Sequence, residues 1–145
     1  DLIFLDAYNH QSIPFHLTTI EFFRIVKKKT KEDGVVASNV WSPSSNEYHY
    51  AQIKTLQEVF PKVYEIKATG SSNHIFVSTL RADTTTVKNL RNRMDAIKKQ
   101  ATLPYNFDPY IATLKDITDK NIDADHLTDD FAPVELLRAQ KAGNQ

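Results

Sequence analysis

Apolar positions alternate between short unbroken runs and longer stretches of helical period, and that alternation predicts the order of elements. Leu2-Ile3-Phe4-Leu5 is apolar throughout, the mark of a strand covered on both faces, as in a parallel sheet. A polar stretch follows from Asp6 to Leu17. Thr18 and Glu21 then stand at capping-box spacing, with Ile20, Phe23 and Val26 at helical period behind them. Phe22 and Ile25 widen that apolar face. Lys27-Lys28-Lys29 suits the negative end of a helix dipole. Asp33-Gly34 closes the helix with a glycine free to turn left-handed. Val35-Val36-Ala37 begins a second strand reaching Trp41. Ser44 and Glu47 repeat the capping spacing, and Tyr50, Ile53, Leu56, Val59 and Phe60 form a second helical stripe that Pro61 halts. Residues 63–68 and 74–80 read as two further strands. The five-residue turn Thr69-Gly70-Ser71-Ser72-Asn73 between them is short enough only for antiparallel neighbours.

This order, strand-helix-strand-helix-strand-strand, predicts an α/β sheet with three parallel strands, one antiparallel strand and helices on its faces. A later helix over 85–102 carries Val87, Leu90, Met94, Ile97 and Ala101 at a/d spacing, a narrow stripe suited to the sheet or to a partner. Beyond Pro104 come turns, a short helical candidate at 109–117 and a last apolar stop at Val134 to Leu137. Residues 1–80 therefore form the sheet domain, and 81–145 a helical and irregular extension packed on it.

The chain has 145 residues, 41% of them apolar and 25% charged, enough to build one core that buries roughly 70% of the unfolded surface. Eighteen basic and eighteen acidic residues cancel, so no overall field favours nucleic acid or an anionic membrane. No apolar run approaches the ~20 residues of a membrane span, and no signal-peptide pattern opens the chain, so a cytoplasmic location is the default expectation. Cysteine is absent, which excludes disulfides and thiolate chemistry together. An opening at Asp1, directly before a strand pattern, predicts a piece of a longer protein.

In open parallel sheets, ligands bind beyond the carboxyl ends of the strands. Asp6 ends the first strand there, placed to hold an amine or hydroxyl, or simply to cap the turn that follows. Asn39 lies near the end of the second strand, one strand over, with Trp41 as a packing residue beside it. Asp129 and Asp130 form an adjacent pair, a pattern more typical of a turn and cap than of a site. His10, His16, His49, His74 and His126 show no ligand spacing, so no metal is expected. No G-x-S-x-G elbow nominates a serine nucleophile. Gly34, Gly70 and Gly143 are the chain's three glycines, so no Gly-rich phosphate or dinucleotide loop can form within it.

Asp1-Leu2-Ile3-Phe4-Leu5-Asp6-Ala7-Tyr8-Asn9, followed by Ile13-Pro14-Phe15-His16-Leu17-Thr18-Thr19-Ile20-Glu21-Phe22-Phe23, resembles the middle of spermidine synthase-like proteins, the polyamine aminopropyltransferases. Glu32 to Val40 resembles their next strand. Phe60 to Tyr64 and Gly70 to Val77 resemble their closing hairpin, and Leu127 to Glu135 their tail. The resemblance implies the C-terminal half of a class I methyltransferase-type, Rossmann-like fold. It implies transfer of an aminopropyl group from decarboxylated S-adenosylmethionine to a small amine such as putrescine. Asp6 falls on the family's catalytic aspartate. Asn9, Tyr8 and Asn39 are expected substrate contacts, with Asp129 and Asp130 as tail contacts. Asn9 stands where the family carries its second acidic diamine ligand, and Ser71-Ser72-Asn73 replaces a tyrosine-containing stretch. The family's nucleoside-binding glycine loop lies upstream of the matching region, so this chain alone is not expected to hold the nucleoside. S-adenosylmethionine-dependent methyl transfer, or a catalytically incomplete half-domain acting in assembly, are the alternative readings. For that last case the first-strand edge is expected to pair with a second copy or with missing sequence.

Overall fold

The structure is a computed structural model that describes residues 1–7, 14–46 and 48–130. Along the chain run β1 (Leu2–Leu5), α1 (Ile20–Lys29), β2 (Val35–Val40), α2 (His49–Val59), β3 (Lys62–Lys67), β4 (His74–Thr79), α3 (Val87–Gln100), α4 (Asp108–Ile111) and β5 (Lys115–Asp116). The strands form one mixed sheet in the order β1-β2-β4-β3-β5.

The expected set of three parallel strands is corrected to one parallel pair, β1 with β2, in which Leu2 faces Val35 and Leu5 faces Ser38. Strand β4 enters between β2 and β3 and runs antiparallel to both, so that His74 lies opposite Val40 on one side and Lys67 on the other. Burial explains the insertion. Phe76 at the middle of β4 is fully buried, and only an interior strand places it under the helices. A fifth strand forms where a helix was expected over 109–117. That helix ends after one turn, at Ile111, because the free edge of β3 claims the backbone beyond it. Ile117 N–H donates to the Val63 carbonyl at 3.0 Å, and the Thr113 hydroxyl accepts from Lys67 N–H at 3.0 Å.

Helices α1 and α2 pack together on one face. Ile20, Phe23 and Val26 join Ile53, Leu56 and Val59 over Val36, Val40, Val63 and Phe76. The apolar stripes read from the sequence supply most of this layer, with two corrections. Ile25 and Tyr50 are 58% and 47% exposed, because each sits on the flank of its stripe. Strand β1 was expected to be covered on both faces. Instead it alternates, with Leu2 and Phe4 at 65% and 58% exposure and Ile3 and Leu5 turned to the core.

Two helix starts lie later than expected. Thr19, not Thr18, caps α1 by accepting from Phe22 N–H. α2 begins at His49 with no side-chain cap, and Ser44 spends its hydroxyl on Ser42 at 2.8 Å. Gly34 is not left-handed; among the described residues Gly70 is the glycine with positive φ, at 81°. Gly34 is required by space instead. A Cβ there would stand 2.7 Å from Thr30 Cγ2 and 2.8 Å from the Lys31 carbonyl oxygen. Helix α3 matches its expected span within two residues at each end, yet none of its side chains is fully buried. The apolar stop at Val134 to Leu137 lies outside the described residues.

Candidate functional site

The carboxyl ends of β1 and β2 and the start of β4 meet at one edge of the sheet, since β4 runs opposite to β2. Asp6 follows β1 there and is exposed to solvent. Asn39 on β2 donates from Nδ2 to Asp6 Oδ1 at 2.9 Å. Its Oδ1 accepts from Asn73 Nδ2 at 3.0 Å. The three side chains form a row whose amide orientations follow from the carboxylate, which only accepts. Asn73 is itself held in the hairpin turn: its N–H donates to Ser71 Oγ and its carbonyl accepts from Ala68 N–H.

Asn39 also lines a small pocket of about 50 Å³ whose walls include neither Asp6 nor Asn73. Leu5, Ala7, Phe22 and Leu56 give it apolar walls, and Ser38, Asn39 and Gln52 supply polar atoms. Its size suits a methylene segment or an ordered water rather than a whole nucleoside. The arrangement presents a solvent-exposed carboxylate with one oxygen engaged by an amide, and that amide's residue, Asn39, also lines a cavity sized for a short aliphatic group. It can hold a cationic or neutral amine and accept a proton from it.

Asp129 is held elsewhere along the same edge, at the N-terminus of α1. Thr19 Oγ1 donates to its Oδ1 at 2.6 Å, and its backbone N–H donates to Glu21 Oε2 at 3.0 Å. Glu21, expected to close a capping box, thus secures the tail instead. Leu127 is buried beneath this strap, its carbonyl accepting from Ile20 N–H and its N–H donating to Thr55 Oγ1. Asp130 is exposed. Tyr8 and Asn9 lie outside the described residues.

A second polar group gathers on the helix-covered face near the same edge. His49 on α2, Glu65 on β3 and His74 on β4 are all buried. His74 Nδ1 lies 2.5 Å from Glu65 Oε1, and the His49 and His74 rings meet edge to face with centroids 4.9 Å apart. His49 donates from Nδ1 to the Trp41 carbonyl at 2.9 Å. Burial pushes the His49 imidazole below its ordinary value of 6.5; the Trp41 bond opposes this, and the neighbouring His74 adds to it. Neither this group nor Asn73 was reached from the sequence. Spacing along the chain carries no signal for three residues drawn from three elements, and Asn73 stood out there only as a departure from a family pattern.

No family model matches the chain. Over 142 residues it is 30% identical to a polyamine aminopropyltransferase of Vibrio vulnificus (strain CMCP6), a match covering 95% of this chain and 46% of that protein. The resemblance to spermidine synthase-like proteins drawn from the motifs is thereby borne out. The chain spans about half the length of the relative it matches.

Proposed function

We propose that the chain provides the amine-binding half of a spermidine synthase-like aminopropyltransferase, built on half of a class I methyltransferase-type, Rossmann-like fold. The observation that carries this reading is Asp6: a solvent-facing carboxylate at the end of β1, oriented by Asn39, which also lines a small apolar pocket. The similarity to a polyamine aminopropyltransferase supports it.

In this reading Asp6 draws a small amine to the sheet edge and orients it. A protonated amine has no lone pair, so Asp6 also serves as the base that takes its proton. The freed nitrogen attacks the aminopropyl carbon bonded to the sulfonium of decarboxylated S-adenosylmethionine. The new C–N bond forms as the C–S bond breaks, and the sulfur leaves with the electron pair as a neutral thioether. The open Asp6 oxygen receives the N–H proton, while the oxygen bonded to Asn39 keeps the carboxylate from rotating away. The donor is a co-substrate, and the small amine is the acceptor.

The full-length protein tests this. With decarboxylated S-adenosylmethionine and putrescine, Asp6→Asn removes the base and one charge while keeping the side-chain shape. Aminopropyl transfer should fall by roughly 10²–10⁴-fold; turnover equal to the unsubstituted protein would discard the role.

The composition of the row favours a second reading. It joins one carboxylate to two neutral amides, Asn39 and Asn73, and amides hold a second cationic centre less strongly than carboxylates. An acceptor with one amine, or methyl transfer from S-adenosylmethionine, fits that composition. Offering both donors separately, with mono- and diamines as acceptors, and recording which pair is consumed distinguishes the readings.

A further inference from the structure

We propose that His49, Glu65 and His74 bind a divalent transition-metal ion of the zinc kind, tying α2 to β3 and β4. Each residue offers one ligand atom, and the three atoms lie within 4.8 Å of one another. Metal–ligand distances of about 2.0–2.2 Å place tetrahedral donors roughly 3.3 Å apart, so side-chain rotation by an ångström or so closes the set on an ion.

The chemistry of the donors fits. A carbonyl oxygen only accepts, so the Trp41 bond puts the proton of His49 on Nδ1 and makes Nε2 the nitrogen with a lone pair to offer an ion. Glu65 Oε1 already lies 2.5 Å from His74 Nδ1, so the carboxylate and imidazole stand side by side before any ion arrives. Two imidazoles and one carboxylate form a borderline donor set suited to zinc, cobalt or nickel rather than to calcium or magnesium. The carboxylate also supplies negative charge to a dication in a poorly solvated place. His49, Glu65 and His74 are 1%, 7% and 9% exposed, so packing holds the rings before any ion arrives.

The metal-free group is also self-sufficient. Among the described residues no buried side-chain nitrogen or oxygen lacks a partner, so the group does not need an ion to satisfy its polar atoms. Its position sets the consequence. Asn73 immediately precedes His74, so an ion gripping His74 stiffens the start of β4 and, through Asn73 and Asn39, the row that ends at Asp6. This inference concerns metal binding alone and stands whether or not amine transfer proves to be the reaction.

The test is titration of the chelator-stripped protein with Co²⁺, followed by absorption in the visible. Saturation at a single equivalent, displacement of the bands by Zn²⁺ and a rise in Tm with Zn²⁺ are expected. His74→Gln and Glu65→Gln should each weaken binding by about tenfold or more. The double variant His16→Gln/His126→Gln, which removes two exposed histidines, should leave binding unchanged. Circular dichroism reports whether each variant folds. If the site variants do not, the ring ¹⁵N resonances of the unsubstituted protein decide: Zn²⁺ should shift two buried histidines and spare the exposed ones. Absence of saturable binding, binding that survives in folded His74→Gln, or unmoved ring signals from His49 and His74 would overturn the proposal.

Discussion

Asn39 on β2 donates to the carboxylate of Asp6 at the end of β1, 2.9 Å away and 33 residues along the chain. The bond depends on the parallel pairing of the two strands. Leu5 lies opposite Ser38, so the next residue of each strand falls beside the other and on the same side of the sheet. Asn73 completes the arrangement by donating to Asn39 Oδ1. An amide so engaged at both ends cannot flip without losing two hydrogen bonds.

Replacing Asn39 by Asp therefore sets a second carboxylate against Asp6 in place of a donor. Like charges this close do not ionise together readily, and one of the pair stays protonated into a higher pH range. Under the proposed function, aminopropyl transfer at neutral pH should fall about tenfold or more, and its pH optimum should move upward. Thermal unfolding should change little, because the Asn39–Asp6 bond lies at the exposed edge. Steady-state rates across pH, with Tm measured alongside, check both halves of the expectation.

Asp129 is expected to act through stability. It accepts from the Thr19 hydroxyl at the N-terminus of α1, where a negative charge also meets the positive end of the helix dipole. Asp129→Ala should cost about 1 kcal/mol, read as a lower midpoint in urea unfolding. Catalytic rates measured well below the unfolding temperature should be unchanged. A selective loss of activity in the folded variant would instead make Asp129 part of the substrate site.

Gly34 tests the space argument. Alanine there puts a methyl group against Thr30 Cγ2 at 2.7 Å and the Lys31 carbonyl oxygen at 2.8 Å. The carbonyl cannot move without disturbing the link between α1 and β2. Gly34→Ala should therefore destabilise by about 1–3 kcal/mol, despite the smaller conformational freedom of the unfolded alanine chain. Chemical denaturation gives the sign directly.

Asp116 ties β5 to β3, lying 3.7 Å from the Lys62 ammonium and accepting from Thr118 N–H at 3.0 Å. Partial burial alone would raise its carboxyl, but the Thr118 bonds and Lys62 outweigh this and hold it below the ordinary value of 3.8. A carboxyl whose folded value is depressed adds stability above its unfolded value, and that stability is lost as pH falls through the folded value. Asp116→Asn should thus lower Tm at neutral pH and converge with the unsubstituted protein below pH 3.8. Tm recorded over an acid series of buffers measures the convergence.

Helix α1, helix α2 and the first four strands were legible because burial of one stripe or one run dictates them locally. Ile53, Leu56 and Val59 recur at a period that only a helix can place on one face. Asp6 was legible for a related reason, since the end of a sheet strand followed by a polar loop is a defined position. Strand β5 was not legible. Lys115 and Asp116 have no apolar pattern, and what makes them a strand is the unpaired edge of β3. The insertion of β4 between β2 and β3 was equally hidden, because a tight turn reveals that two strands pair but not which other strand lies beyond them.

Which segments become helix or strand, and that a carboxylate follows the first strand, was written in the order of residues, because those outcomes rest on neighbours a few positions away. The folded arrangement sets which distant residues touch: Asn39 with Asp6 and with Asn73, Thr19 with Asp129, and His49 and Glu65 with His74. Side chains from separate elements meet only when the sheet order and the helix packing are settled. Those are fixed by competition for buried area and for backbone partners over the whole chain.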